Sequence, residues 1–515
     1  MSWLTPGVTG GYNFVPPSGG DDTANIQAAL NQSAKYPVQL AGIYKVSSPL
    51  SLPKQGVLVA DNPRSFEQYL GGTNLPPTRL VATSDAGYVP TTFGTFTGQV
   101  TPENSTTTAS ISNASPCVIT WTGHGLTNGC PVKFSFATSC GQFTTEYQYF
   151  VINATTNTFN LANSVGGTAL NNNSAQSNVS MYAQASCLIT ATLSGFTAPG
   201  YLLSGAGIAS GTQLLTFLNS GGGTSVWLTN LSNSLTASAT ITCQKPRGIL
   251  ECQSNCYVRG ICVFGTGSRL TNGIDFSTGR QWGLFEDCNA FNVNIGFFGV
   301  GDGVTGTNDA TGICQGAYIY GGYYSSCKTA GIFGSGSSNG GGGGYISDWI
   351  IDGAHCADNS GPGLWLEFYS NSQVINGRFE DNVTGAVYAL QSNVTFKSIP
   401  GIIFSNNFLD FAFNGNCMRI ITGSAGLVMS NNRFGKNNVT GGGLIRIMSN
   451  SIQPTLGDFI CHGNLYYVPA GQYIYQVDGQ VTSINGEVYE SPTASGGGTV
   501  YADAHTSTLL SAIKH

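Results

Sequence analysis

The chain has 515 residues, a net charge of −6 and only 9% charged residues, against 41% hydrophobic residues and 71 glycines. Soluble proteins usually carry about 25% charged residues, so the composition excludes a Lys/Arg-rich surface for nucleic acid, and its apolar content excludes a disordered chain. The length exceeds one ordinary core and suits a solenoid, where each repeat buries surface on its neighbours.

No run of about eighteen apolar residues offers a membrane span. The start, Met1-Ser2-Trp3-Leu4-Thr5-Pro6-Gly7, has neither the basic nor the apolar region of a secretory signal peptide. The expectation is a protein made in a reducing cytoplasm, not inserted in a membrane, and released by lysis. The fourteen cysteines form no CxxC pair and no zinc spacing, so they are expected to be reduced core thiols, and no metal or cofactor is expected.

Residues 1–20 are rich in Gly and Pro and read as an N-terminal arm. A helix is expected at 22–33, with Asp22 as N-cap and Ile26, Ala29 and Leu30 on one face, covering the open end of a solenoid whose first turns extend to about residue 110. From about 111 to 245 the repeat disappears. Two inserted β modules are expected there, at 111–185 and 186–245; Trp121 and Trp227 within them either fill small cores or stack on sugars.

The main repeat occupies residues 246–490, and 491–515 form a short tail. Its unit is a small residue, any residue, then a bulky apolar one: Gly322-Tyr323-Tyr324, Ala354-His355-Cys356, Gly377-Arg378-Phe379, Asn406-Asn407-Phe408, Asn432-Arg433-Phe434 and Gly463-Asn464-Leu465. The third residues lie 32, 23, 29, 26 and 31 apart. A regular period with loose spacing marks a solenoid whose loops vary in length. Short alternating strands with little helical periodicity make it a right-handed parallel β-helix, an all-β fold.

The opening of the repeat region carries a resemblance. Gly20-Asp21-Asp22-Thr23-Ala24-Asn25-Ile26-Gln27-Ala28-Ala29-Leu30, Gly42-Ile43-Tyr44 and Pro49-Leu50-Ser51-Leu52-Pro53 resemble the start of pectate-lyase-like β-helix proteins, above all bacteriophage tailspike depolymerases. With the repeats, the resemblance covers most of residues 20–490. It implies a homotrimer that binds, and often cleaves, a bacterial surface polysaccharide. It also implies a place in the virion beside a phage tail or baseplate protein. One departure is that no sizeable virion-binding domain precedes residue 20.

Alternation along strands assigns faces. Trp349, Ile351, Ala354 and Cys356 are expected inside, with Asp352 and His355 outside. Glu286 and Tyr320 share the Asp352 column, and Arg378 follows His355. Leu364, Leu366 and Phe368 are expected in the core, which puts Trp365, Glu367 and Tyr369 on an outer face above Phe298 and Phe333. Arg419 and Arg446 are expected to stack on that face. Aromatic faces cover the C–H side of a sugar ring, and a carboxylate pair can run acid–base hydrolysis.

The candidate catalytic residues are therefore Glu367, Asp352, Glu286, Glu380 and Asp381. The candidate substrate-binding residues are Trp365, Tyr369, Arg378, Arg419, Arg446 and His355. Endo-acting glycoside hydrolysis is the leading expectation. A lyase acting on a uronate polymer and a non-catalytic adhesin are the alternatives. Gly340-Gly341-Gly342-Gly343-Gly344 lacks the Gly-Lys-Ser/Thr ending of a phosphate loop and reads as an excursion between turns.

Overall fold

In the computed structural model the chain winds into a parallel β-helix. It describes residues 11–60, 76–100, 104–128, 130–135, 149–162, 168–183, 188–192, 200–221, 224–229, 239–277, 280–301, 314–336, 346–367, 369–383, 392–397, 401–410, 416–421, 425–435, 443–448, 455–477, 481, 483–488, 497–502 and 504–511, with 143 and 412. The glycine run at 340–344 and Phe368 lie outside the described residues.

The first complete turn is Val38–Leu40, Ile43–Val46 and Leu50–Leu52, in three sheets numbered here I, II and III. Later turns add parallel strands in the same order, ending in sheet III with Tyr473–Val477 and Thr499–Tyr501. The corner between sheets I and II explains the small-residue repeat. Its first residue has positive φ on turn after turn: Gly260, Asp287, Gly321, Gly353, Asn376, Asn406, Asn431 and Gly463. Gly, Asn and Asp tolerate this left-handed conformation, which larger L-residues resist.

The second corner residue points inward, and towards the C-terminus it becomes an asparagine ladder. Asn407 Nδ2 donates to Asn432 Oδ1 at 3.1 Å, and Asn432 Nδ2 to Asn464 Oδ1 at 2.9 Å. Each amide also donates to a carbonyl of the turn before: Asn407 to Val374 O and Asn432 to Phe404 O, both at 2.9 Å. The ladder corrects two repeat triplets by one residue. Phe379 pairs with Leu409 and Phe434 with Tyr466, so Phe408 and Leu465 face out, Leu465 67% exposed. Phe404, on the sheet I strand before this corner, is a fully buried core residue.

Both ends of the coil are covered. Helix α1, Thr23–Leu30, buries Ile26, Ala29 and Leu30 on the first turn. Asp22 stands at its N-cap position without capping it; its carboxylate accepts the backbone N–H groups of Ser18 (2.7 Å) and Lys45 (3.3 Å). Asp21 instead accepts the N–H of Thr23 at 3.0 Å. Part of the expected arm is also in the coil, because Asn13–Val15 pairs in parallel with Val38–Leu40. Helix α2, Ala504–Ser511, sits in the expected tail and buries Leu510 in the same core. Its Thr506 Oγ1 accepts the N–H of Val477 at 3.0 Å.

The insertion leaves sheet II after Arg79–Ala82 and re-enters sheet III at Arg247–Cys252. Its two modules are nested rather than consecutive. Thr91–Val100 lies inside a six-stranded antiparallel sheet, between Leu188–Thr192 and Ala239–Lys245. The closed barrel from Asn104–Ile111 to Gln176–Ala183 interrupts that sheet. Trp121 and Trp227 are buried, one in each module. The twelve cysteines among the described residues are buried. Among these residues no helix is long and apolar enough to cross a membrane, and no group of His, Cys, Asp or Glu is placed to hold a metal.

Candidate active site

The outer face of sheet II has two columns. The first runs His355, Arg378, Phe408, Arg433 and Leu465 on successive turns; the second runs Ala357, Glu380 and Asp410. After the strands His355–Ala357 and Arg378–Glu380 come Asp358 and Asp381, at φ 56° and 53°. Asn359 and Asn382 pin these bends from inside. Asn359 Nδ2 donates to Asn382 Oδ1 at 2.8 Å, and Asn382 Nδ2 donates to Cys356 O at 2.9 Å. Equivalent backbone positions therefore repeat one turn apart, about 4.8 Å.

Glu380 is the hub. Its Oε1 lies 2.7 Å from Arg378 Nε and 3.0 Å from His355 Nε2. Burial works to raise the Glu380 carboxyl, but His355 and Arg378 outweigh it and hold the group below the usual carboxylate range. His355 lies against the edge of Tyr323 at 4.9 Å, and burial pushes its imidazole down, so the neutral form dominates near pH 7. Asp358 and Asp381 move the other way. Burial raises both, with Glu380 adding to each and Asp358 and Asp410 adding further to Asp381. Carboxyl groups pushed apart in one cluster are the arrangement that lets one stay ionised while another keeps its proton.

Of the residues singled out from sequence, the fold brings His355, Arg378, Glu380 and Asp381 together here. Glu286 and Asp352 lie elsewhere, on sheet I, in one column with Tyr320 between them. Glu286 Oε2 accepts from Tyr257 OH at 2.6 Å, and Asp352 Oδ1 accepts from Asn376 Nδ2 at 2.8 Å. Both carboxylates are partly exposed.

The expected face on sheet III is not an open one. Phe298, Phe333 and Trp365 do stack on successive turns, at 6.1 and 5.9 Å. Trp365 is nevertheless only 1% exposed, because the inserted six-stranded module lies against that column with Tyr201, Leu203 and Trp227. Glu367 is fully buried, with Lys397 Nζ 2.6 Å away. Arg419 and Arg446 stack in register as expected but are 6% and 8% exposed. The Tyr369 side chain lies outside the described part of the structure.

Sequence reasoning missed Asp358, Asp410, Tyr323 and Arg433. A signal for the first was present, since Asp-Asn recurs at 358–359 and 381–382 at the same bend of two successive turns. Arg433 lies 5.4 Å above the Phe408 ring and Arg378 lies 5.3 Å from it. Phe408 stands third in its sequence triplet, where Tyr324, Cys356, Phe379 and Phe434 are buried, and this conceals the arrangement.

No family model matches the chain, and no curated protein sequence matches it. Several solved β-helix structures do. The A-module of the Azotobacter vinelandii mannuronan C-5 epimerase AlgE4 is similar over 50% of this chain and 74% of its own, at 14% identity and a TM-score of 0.33. Tailspike protein 2 of an Escherichia coli O157:H7 bacteriophage is similar over 47% of this chain and 34% of its own, at 12% identity and 0.30. The tailspike gp49 of Pseudomonas phage LKA1 is similar over 93% and 74%, at 12% identity and 0.20. No functional residue is carried across at these scores.

Proposed function

We propose that the protein is a phage tailspike depolymerase that binds a bacterial capsule, O-antigen or exopolysaccharide and cleaves it by endo-acting glycoside hydrolysis. The observation that carries the catalytic reading is the cluster on the outer face of sheet II, where Glu380 Oε1 lies 2.7 Å from Arg378 Nε and 3.0 Å from His355 Nε2 with Asp381 next in the chain; the two carboxyls are shifted in opposite directions. The tailspike assignment rests on the resemblance of residues 20–53. Asp381, which holds its proton more tightly than an ordinary aspartate because of burial and the neighbouring carboxylates, supplies it to the departing glycosidic oxygen. Glu380, kept ionised by Arg378 and His355, faces the positive charge that develops on the sugar and takes the proton of the water whose oxygen bonds to the anomeric carbon as the glycosidic bond breaks. Asp358 and Asp410 are positioning residues, which raise Asp381 by their charge.

The lyase alternative keeps one favourable observation. Burial holds His355 neutral, as a base for proton abstraction requires, and Arg378 stands next in its column to neutralise a uronate. The homotrimer is part of the proposal. It is favoured by a partly exposed column on sheet I that reads Ile350, Gln373, Ile403, Val428 and Ile460 over five successive turns.

The test is incubation with a panel of capsular, O-antigen and exopolysaccharides, followed by sizing of the products and assay of reducing ends. Hydrolysis predicts new reducing ends without ultraviolet absorbance. Unsaturated, absorbing products would establish the lyase, and binding without products would establish an adhesin.

A further inference from the structure

Sheet I carries an aromatic feature that the acid cluster does not use. Strands Gln281–Glu286 and Cys314–Tyr320 pair in parallel, and each contains a left-handed residue at the same place, Trp282 at φ 58° and Gly316 at φ 65°. For glycine this is ordinary; for a residue as bulky as tryptophan it is uncommon, and such outliers gather at ligand clamps. The indole lies on the bare Gly316 backbone, where a Cβ would stand 2.5 Å from Trp282 Cε3. It also stacks on Tyr318, with ring centroids 6.2 Å apart and planes 19° from parallel.

Core filling does not explain this indole. Trp121, Trp227, Trp349 and Trp365 are all at most 5% exposed, whereas Trp282 and Tyr318 are partly exposed and belong to none of the buried clusters. Polar groups stand beside the pair. Gln315 Nε2 donates to Asp348 Oδ2 at 2.7 Å. Arg280, two residues before Trp282, has a buried Nε without a hydrogen-bond partner among the described residues. Two near-parallel aromatic rings, partly exposed and with planar hydrogen-bonding groups alongside, match the apolar C–H face and rim hydroxyls of a pyranose.

We propose that Trp282 and Tyr318 form a non-catalytic carbohydrate platform on sheet I, distinct from the carboxylate cluster on sheet II, which grips a stretch of polysaccharide outside the cleaved segment. The identity of the polymer rests on the depolymerase reading; the platform itself does not. A polymer held on sheet I is retained between cleavages, so the site acts on long chains more than on short ones.

The experiment compares wild type, Trp282→Ala, Trp282→Phe and Glu380→Gln on an array of bacterial capsular and O-antigen polysaccharides, with acrylamide quenching of tryptophan fluorescence. Trp282→Ala should weaken retention about tenfold or more, and Trp282→Phe less. Glu380→Gln should bind normally, and bound polymer should protect the quenchable fluorescence that Trp282→Ala removes. Hydrolysis of short oligosaccharides by Trp282→Ala should proceed with an unchanged kcat. Binding that depends on Trp282 without any cleavage would sink the catalytic reading and leave the platform standing. The platform is overturned by unchanged retention in Trp282→Ala, by absence of any retained glycan, or by loss of kcat on short substrates. It is equally overturned if acrylamide fails to reach Trp282, which would mean that a second copy of the chain covers it.

Discussion

At the residue scale, the acid cluster and the buried ion pair make different claims on the same amino-acid types. Glu380→Gln and Asp381→Asn should each lower kcat by about two to four powers of ten while binding persists. Activity needs Glu380 ionised and Asp381 protonated, so the pH profile should be a bell. Its acid limb follows a carboxyl below the usual range and its alkaline limb one above it. The stability signs are opposite. Glu380 stabilises the fold above its unfolded pKa, and this is lost as pH falls through the lower folded value; ionised Asp381 opposes folding as pH rises through its raised value. Asp381→Asn should therefore melt no lower than wild type at pH 7 although inactive. Lys397→Ala, by contrast, leaves Glu367 buried and charged, and should destabilise by about 3–5 kcal/mol in urea unfolding. Alternation in the sequence showed which side Trp365 and Glu367 take, and the stacking with Phe333 follows it. Alternation carries no information about what covers that side. The cover is a module more than a hundred residues away in sequence.

At the element scale, the corner between sheets I and II fixes the register of the whole coil. A left-handed first residue turns the chain, and the asparagine behind it satisfies backbone groups that the turn leaves open. Asn432 does this for two turns: it accepts from Asn407 N at 2.9 Å and donates to Phe404 O. Asn432→Ala strands both groups, and the expected loss is about 1–3 kcal/mol for each, read from the urea midpoint with far-ultraviolet circular dichroism as control. An unchanged midpoint would mean that water or a relaxed corner replaces the amide. The period was legible because small residues are required at every corner. The frame was ambiguous at Asn406-Asn407 and Gly463-Asn464, where either small residue fits the triplet. Only the pairing of Phe379 with Leu409 and of Phe434 with Tyr466 decides it.

At the scale of the whole molecule, the exterior divides into a covered side and open ones. Sheet III is closed by the nested insertion. Gly200 shows how closely, since a Cβ there would stand 2.4 Å from Phe298 Cε2 and 3.1 Å from Phe333 Cε1. The nesting was hidden from sequence because antiparallel partners such as Thr91–Val100 and Ala239–Lys245 are far apart along the chain and share no local pattern. Sheet I lacks such a cover among the described residues. Its column from Ile350 through Ile403, Val428 and Ile460 is where subunits are expected to meet, and that contact has to end before Tyr318, which precedes Ile350 in the same column and stays open. Three copies of 53.7 kDa make a species of about 161 kDa by analytical ultracentrifugation. Ile403→Asp with Ile460→Asp should convert it to a folded 53.7 kDa monomer, because Ile403 is already 41% exposed and neither side chain belongs to the buried core. Retention of the large species by that variant would move the interface to another face. A monomeric wild type would remove the trimer and return the apolar column to a partner of different kind.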